Sequence, residues 1–181
     1  MSGGAEHTVQ FYDGPASLAH RVADFIATGL TRGEAAIIIA TAEHRRAIEG
    51  RLVTLGVDIG AAGTDGRYVP FDAAEMLARL MIDGRPDGAR FADHVGGPVR
   101  RTQAAHPRVR AFGEMVGLLW SDGEHDAAMA LEELWNDLLG HHPFALMCGY
   151  PARQFSFGGS RLAQIVDAHT DVARTVGAAP A

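Results

Sequence analysis

The side chains able to do chemistry in this chain collect at the ends of short apolar runs. Val9-Gln10-Phe11 leads to Tyr12-Asp13, Ile37-Ile38-Ile39 to Thr41, Tyr68-Val69-Pro70-Phe71 to Asp72, Val109 to Phe112 to Glu114, and Phe144 to Cys148 to Tyr150. If these runs are parallel strands, their carboxyl ends share one sheet edge, which is where open α/β folds bind ligands. Glu114 is the sharpest signal, because a carboxylate directly after an apolar strand is costly unless it is paired, hydrogen-bonded or reaches a cavity. A salt bridge with Arg110 or Arg67 is its structural alternative. Tyr12 and Tyr150 join an apolar ring to a hydroxyl and suit a pocket that orients a small polar compound. Trp120 and Trp135 offer flat apolar walls, although Trp135 shares the face of Leu131 and Leu138 and reads as core. Asn136 follows Glu132 by one helical turn, so the pair could point into a groove or cap local backbone.

Several reaction classes lack their residues. The first strand-to-helix turn, Tyr12-Asp13-Gly14-Pro15-Ala16-Ser17, has neither the second glycine nor the lysine of a phosphate-binding loop. Pro15 removes an N–H donor there, and Asp13 would repel a phosphate. G-x-G-x-x-G and G-x-S-x-G are also missing. Cys148 lies inside an apolar strand and reads as a small core residue. Histidine is plentiful, but H-E-x-x-H is absent and the neighbouring His141 and His142 point in different directions. No metal ligand is assigned, although a three-dimensional cluster such as His7, His44 and Cys148 stays open.

These residues need elements to hold them. Strands are expected at Thr8–Tyr12, Ala35–Ala40, Arg67–Phe71, Val109–Glu114 and Phe144–Cys148, the last ended by Pro151. Between them, Pro15 opens a helix carrying Leu18, Val22, Phe25, Ile26 and Leu30. Thr41 caps a helix through Ile48 and Leu52 that Gly56 closes, and Asp72 caps one carrying Met76, Leu77, Leu80 and Met81. Asp83 to Gly88 reads as a surface loop. A helix over Phe91–Gln103 is weakened by Gly96-Gly97-Pro98. Ala127, Ala128, Leu131, Leu134, Trp135 and Leu138 form the apolar face of another helix. Arg161–Thr175 is expected to be a terminal helix, and Gly177 to Ala181 to fray. Strands alternating with helices imply an α/β three-layer sandwich with a mainly parallel sheet of about five strands.

With 181 residues the chain is long enough for one domain with a sizeable core. A net charge of -6 gives no basic field for nucleic acid or anionic lipid. The single cysteine excludes an intramolecular disulfide, and no run approaches the roughly 18 apolar residues of a membrane span. The expectation is a soluble, cytoplasmic protein.

Short motifs along nearly the whole chain then resemble a known family. His7-Thr8-Val9-Gln10-Phe11-Tyr12-Asp13, Gly33 to Thr41 with His44-Arg45, Gly66-Arg67-Tyr68-Val69, Asp72-Ala73 and Asp83-Gly84-Arg85-Pro86-Asp87 carry the first half. Arg110-Ala111-Phe112-Gly113-Glu114-Met115-Val116, Leu119-Trp120, Leu131 to Asn136 and Cys148-Gly149-Tyr150-Pro151 carry the second. Together, from about His7 to about His169, they resemble the MEDS domain, the methanogen/methylotroph DcmR-type sensory domain. The resemblance implies a RecA/KaiC-like fold without a phosphate-binding loop, and a module that senses simple hydrocarbon derivatives, including one-carbon compounds. Such modules often adjoin kinase or DNA-binding output domains and so serve signal transduction and transcription regulation. The stretch Val166 to Asp171 matches the family's closing His-containing stretch only loosely, and no role is assigned to His169.

The sequence is therefore read as one sensory domain, residues 1–181 with a core over about 7–170. It is expected to be no enzyme and to need no cofactor. A small organic ligand would be lined by His7, Tyr12, His44, Glu114, Trp120 and Tyr150, and the signal passed to a separate partner such as a kinase or regulator. No direct nucleic-acid or membrane partner is expected, and oligomeric state is left open. The alternatives are a divergent nucleotide-binding or ATPase-like domain, with Glu114 as the acid near a metal-bound water, and a ligand-free protein-interaction module.

Overall fold

Ala35–Ala40 is apolar at every position and buried at every position, which requires cover on both faces and suits the middle of a parallel sheet. The computed structural model, which describes residues 5–155 and 160–173, places this strand, β2, inside a six-stranded sheet. The strands are β1 (Glu6–Tyr12), β2, β3 (Tyr68–Asp72), β6 (Val109–Gly113), β7 (Ala145–Pro151) and β8 (Asp171–Ala173). Their order is β3-β2-β6-β7-β1-β8, and every pairing is parallel. Pro70 is accommodated because β3 is an edge strand.

Side chains alternate across the sheet and so build two cores. On one face Ala36, Ile38 and Ala40 of β2, Phe112 and Met147 pack under α1 (Pro15–Thr31) and α2 (Ala42–Thr54), with α3 (Ile59–Thr64) at the margin. On the other face Ile37, Ile39, Val9, Ala111, Leu146 and Cys148 pack under the remaining helices. These are α4 (Ala73–Leu80), α5 (Gly88–Phe91), α6 (Gly97–Ala105), α7 (Met115–Ser121), α8 (His125–His141) and α9 (Ser160–Asp167). Helix starts follow local chemistry. Thr41 Oγ1 accepts from His44 N at 3.4 Å, and Asp72 accepts from both Ala74 N and Glu75 N at 3.0 Å. At Gly117 of α7 an added Cβ would collide with the carbonyl oxygen of Gly149, so only glycine lets this helix lie so close to β7.

Four expectations need correction. The terminal helix expected over Arg161–Thr175 stops at Asp167, and the chain then pairs with β1 as β8, the sixth strand of the expected mainly parallel sheet; the backbone of Thr170 bonds to His7 O at 2.7 Å and starts that pairing. β7 runs on through Pro151, whose place opposite the last residue of β1 needs no N–H. The expected loop at 83–88 supplies the turn and second strand of a two-stranded antiparallel ribbon, β4 (Met81–Ile82) and β5 (Arg85–Pro86). The glycine pair and Pro98 leave the helix continuous through a π-helical segment, Ala92–Gly96, which absorbs Pro98 in the first turn of α6. Gly177 to Ala181 lie outside the described residues. Among the described residues no helix is long and apolar enough to cross a membrane.

Candidate functional site

β2 and β6 are neighbours in the sheet, yet the helices that follow them leave on opposite faces, α2 on one and α7 on the other. That divergence makes the strand carboxyl ends a topological switch point, the usual ligand position in such sheets. Glu114 sits there. Its backbone N–H extends the ladder to Ile39 O, and its side chain, 2 % exposed, turns toward β2. Oε1 accepts from Thr41 N at 2.8 Å, and Oε2 lies 2.8 Å from His44 Nδ1. The Tyr12 ring meets the His44 ring edge-on at 5.6 Å.

The alternative ion pairs for Glu114 do not form. Arg110 turns back to Glu34 at 2.7 Å and Arg67 pairs with Asp65 at 3.2 Å. The hydrogen bond to the Glu114 carboxylate holds the His44 pKa above its ordinary value, against the burial that lowers it. Burial, helped by the charge of Glu114, pushes the Tyr12 hydroxyl up to about 12. Both shifts favour the protonated form, a cationic imidazole beside a neutral phenol. His44 keeps 15 % of its side chain exposed, so the buried carboxylate communicates with solvent through it.

A second polar group lies inside the other core, under β1 and β7. His7, Cys148 and Tyr150 point to that face and meet Glu132 and Asn136 of α8 and His169 from the turn after α9. Tyr150 donates to Glu132 Oε1 at 2.6 Å. Glu132 Oε2 lies 3.4 Å from His7 Nε2 and 3.6 Å from Cys148 Sγ. Burial pushes Glu132 up to about 7 although Tyr150 and Cys148 oppose the shift. Burial, then the charge of Glu132, raises the Cys148 thiol well above its ordinary value, and the same two causes raise Tyr150. His7 is lowered by burial, and His169 falls to about 3 through burial and the neighbouring His7. Every group here is driven toward its neutral form, as expected where unpaired charge is costly.

The six sequence-derived ligand residues therefore divide. Tyr12, His44 and Glu114 come together at the strand ends, whereas His7 and Tyr150 belong to the buried group on the opposite face. Trp120 stacks on Phe155 at 5.1 Å and meets Tyr150 edge-on at 5.8 Å beside that group. Period-two alternation separates them: Tyr12 follows Phe11, whose partner is Tyr150, and successive residues face opposite ways. Of the open trio His7, His44 and Cys148, only His7 and Cys148 meet, at 3.3 Å. Glu132 and His169 were not among the candidates. Glu132 was legible as a carboxylate inside the buried stripe Ala128, Leu131, Trp135 and Leu139 of α8, while nothing local marked His169. A cleft of about 290 Å³ lies away from both groups between α5 and the end of α8, lined by Phe91, Arg100, Leu134 and His142 among others.

The first turn is unlike a phosphate cradle in detail. Asp13 N and Gly14 N both donate to Ser17 Oγ at 3.3 Å, and Pro15 stands at the helix start, so these donors are already engaged.

No curated protein matches the chain. Among solved structures, a KaiC-like protein from the hyperthermophilic archaeon Pyrococcus horikoshii is similar in fold, with a TM-score of 0.57 and 16 % identity over 89 % of this chain and 69 % of that one. The family model described as the MEthanogen/methylotroph, DcmR Sensory domain matches residues 6–170. With that match spanning nearly all of the chain, and with a parallel α/β sheet that has lost the phosphate-binding turn, this protein belongs to the MEDS family of sensory domains.

Proposed function

We propose that this domain is a non-enzymatic cytoplasmic sensor that holds a small organic ligand, hydrocarbon-derived or one-carbon, at the carboxyl ends of β2 and β6. It passes the signal to a separate partner such as a kinase or transcriptional regulator. The observation that carries this reading is the buried Glu114 bridging the end of β6 to Thr41 and His44 at the end of β2. A ligand with one polar group exchanges with the partly exposed His44 or bonds to it, and the Tyr12 ring supplies apolar contact. Because Glu114 ties two strand ends whose helices lie on opposite faces, a ligand that alters this tie changes how α2 sits against β6 and α7. That is a means of biasing a surface a partner reads.

The nucleotide-binding alternative is disfavoured by the engaged donors of the first turn and by the complete absence of lysine from the chain. Little is left to hold a triphosphate. Thermal melting against halogenated, methylated and short-chain organic compounds and Mg-ATP tests the reading. A ligand at about 100 times its dissociation constant stabilises the fold by roughly 2.7 kcal/mol, or about 5 to 10 °C for a domain of this size. The expected result is a shift with a small organic compound that His44→Gln abolishes. A shift with Mg-ATP alone supports the nucleotide reading instead, and no shift with any compound supports the protein-interaction module.

A further inference from the structure

The buried group under β1 and β7 is built like a metal site. His7 Nδ1 lies 2.8 Å from Asn136 Oδ1, and the Asn136 amide nitrogen donates to Ala168 O at 3.0 Å. The second bond fixes which end of the amide faces His7, so Nδ1 must carry the hydrogen and Nε2 presents a lone pair. His169 repeats the arrangement: its Nδ1 lies 2.6 Å from Ile165 O, which can only accept, so its Nε2 is likewise a lone pair. That Nε2 is buried, makes no hydrogen bond and faces Glu132 Oε1 at 3.4 Å. Orienting contacts of this kind on the far nitrogen are typical of metal-bound histidine.

The two lone pairs therefore converge on a carboxylate and a sulfur. Tyr150 satisfies Glu132 Oε1 and a thiol hydrogen can satisfy one more acceptor, while the remaining lone pairs face one another. The ligand atoms of His7, Glu132, Cys148 and His169 all lie within 4.8 Å of one another. The individual separations are 3.3 Å for His7 Nε2 to Cys148 Sγ, 3.4 Å from each histidine Nε2 to Glu132, and 3.6 Å for Cys148 Sγ to Glu132 Oε2. With a lone pair on each Nε2, neither 3.4 Å approach to the ionised carboxylate is a hydrogen bond. Bond lengths to zinc of about 2.0 to 2.3 Å put tetrahedral ligands about 3.3 to 3.7 Å apart, which matches the separations among His7, Cys148 and Glu132 Oε2, with His169 approaching the other oxygen of Glu132.

We propose that His7, Glu132, Cys148 and His169 form a four-coordinate site for a divalent transition metal of the zinc class. Thiolate and imidazole donors select such ions over magnesium or calcium. One thiolate and one carboxylate balance the two positive charges, so the filled site is neutral, the condition for holding an ion in a dry core. Binding releases the Cys148 proton, and the Glu132 proton where one is held. The ion joins β1, α8, β7 and the turn after α9, and so fastens the segment carrying β8 to the sheet. The site lies across the sheet from Tyr12 and α2, and the proposal does not depend on a ligand binding at the strand ends.

The test is cobalt and zinc titration of the full chain after chelator treatment under reducing conditions. The expected result is one equivalent of Co²⁺ giving tetrahedral d–d absorption and a thiolate-to-cobalt charge-transfer band, displaced by Zn²⁺, with a rise in melting temperature. Cys148→Ser removes the charge-transfer band. Asn136→Ala, which removes the contact orienting His7 and a bond to the closing turn but no ligand, lowers affinity by roughly 10- to 100-fold. A wild-type titration without the band overturns the proposal, whether or not any variant folds. Equal affinity in wild type, Asn136→Ala and His169→Gln also overturns it, because the metal then sits on other histidines and the buried group is a hydrogen-bonded cluster only.

Discussion

Glu114→Gln keeps the shape of the strand-end site while removing its charge, and its cost should depend on pH in a way that the geometry dictates. The carboxylate makes two 2.8 Å contacts, one to Thr41 N and one to His44 Nδ1. Charge-assisted hydrogen bonds contribute about 1.5 to 3 kcal/mol and neutral ones about 1 kcal/mol. In the variant Oε1 still accepts from Thr41 as a neutral acceptor, which costs about 1 kcal/mol at any pH. Toward His44 the outcome depends on protonation. Protonated His44 donates from both nitrogens and meets the new amide N–H₂ donor to donor, which adds roughly 1 to 2 kcal/mol. The lower end applies because His44 is partly exposed. Neutral His44 accepts from the amide and restores a bond.

The folded-state pKa of His44 is raised by Glu114, so its contribution in the wild type is full below the unfolded value of 6.5 and is lost as pH rises through the folded value. The wild-type advantage should thus be about 2 kcal/mol near pH 5.5 and fall to about 1 kcal/mol above the folded pKa. Urea denaturation of both proteins across this range, with chelator present, measures it; other titrating groups cancel between the two. An NMR titration should show His44 moving down toward 6.5 in the variant. A stability gap that is the same at every pH would refute the ion pair.

Other substitutions probe the frame around the sites. Gly117→Ala should destabilise by roughly 1 to 3 kcal/mol from overpacking against the Gly149 carbonyl, less at most about 1 kcal/mol of helix propensity gained; a variant as stable as wild type in urea would mean that α7 can retreat from β7. Arg110→Ala should cost about 2 kcal/mol by leaving the buried Glu34 without its 2.7 Å partner, and a double-mutant cycle with Glu34→Gln should return a coupling of roughly 0.5 to 3 kcal/mol; additivity would refute the pairing. Asp72→Ala should lower stability by about 1 kcal/mol through loss of the cap on α4, measured by urea midpoint, with no change in denaturant slope.

Local signals carried much of this fold. The wholly apolar Ala35–Ala40, bounded by turn signals, suits a strand covered on both faces; Thr41 and Asp72 mark helix starts through bonds to residues at most three positions away, and Pro15 through its fixed φ. The isolation of Glu114 at a strand end was also readable, since its cost depends only on its neighbours in the chain. The short β8 was not, because Asp171–Ala173 is a strand only by virtue of β1 lying beside it.

The sequence by itself determined that the phosphate-binding turn is lost, that an apolar α/β core forms and that polar side chains gather where strands end. Tertiary structure alone decided which of them meet. Strand alternation sent Tyr12 and Tyr150 to opposite faces, and strand order brought Thr41 and His44 rather than an arginine to Glu114. The packing of α8 and the closing turn drew His7, Glu132, Cys148 and His169 into one buried cluster across more than 160 residues of sequence. No local pattern encodes such a meeting, because the distance between two side chains in space is set by the path of the whole chain rather than by their spacing along it.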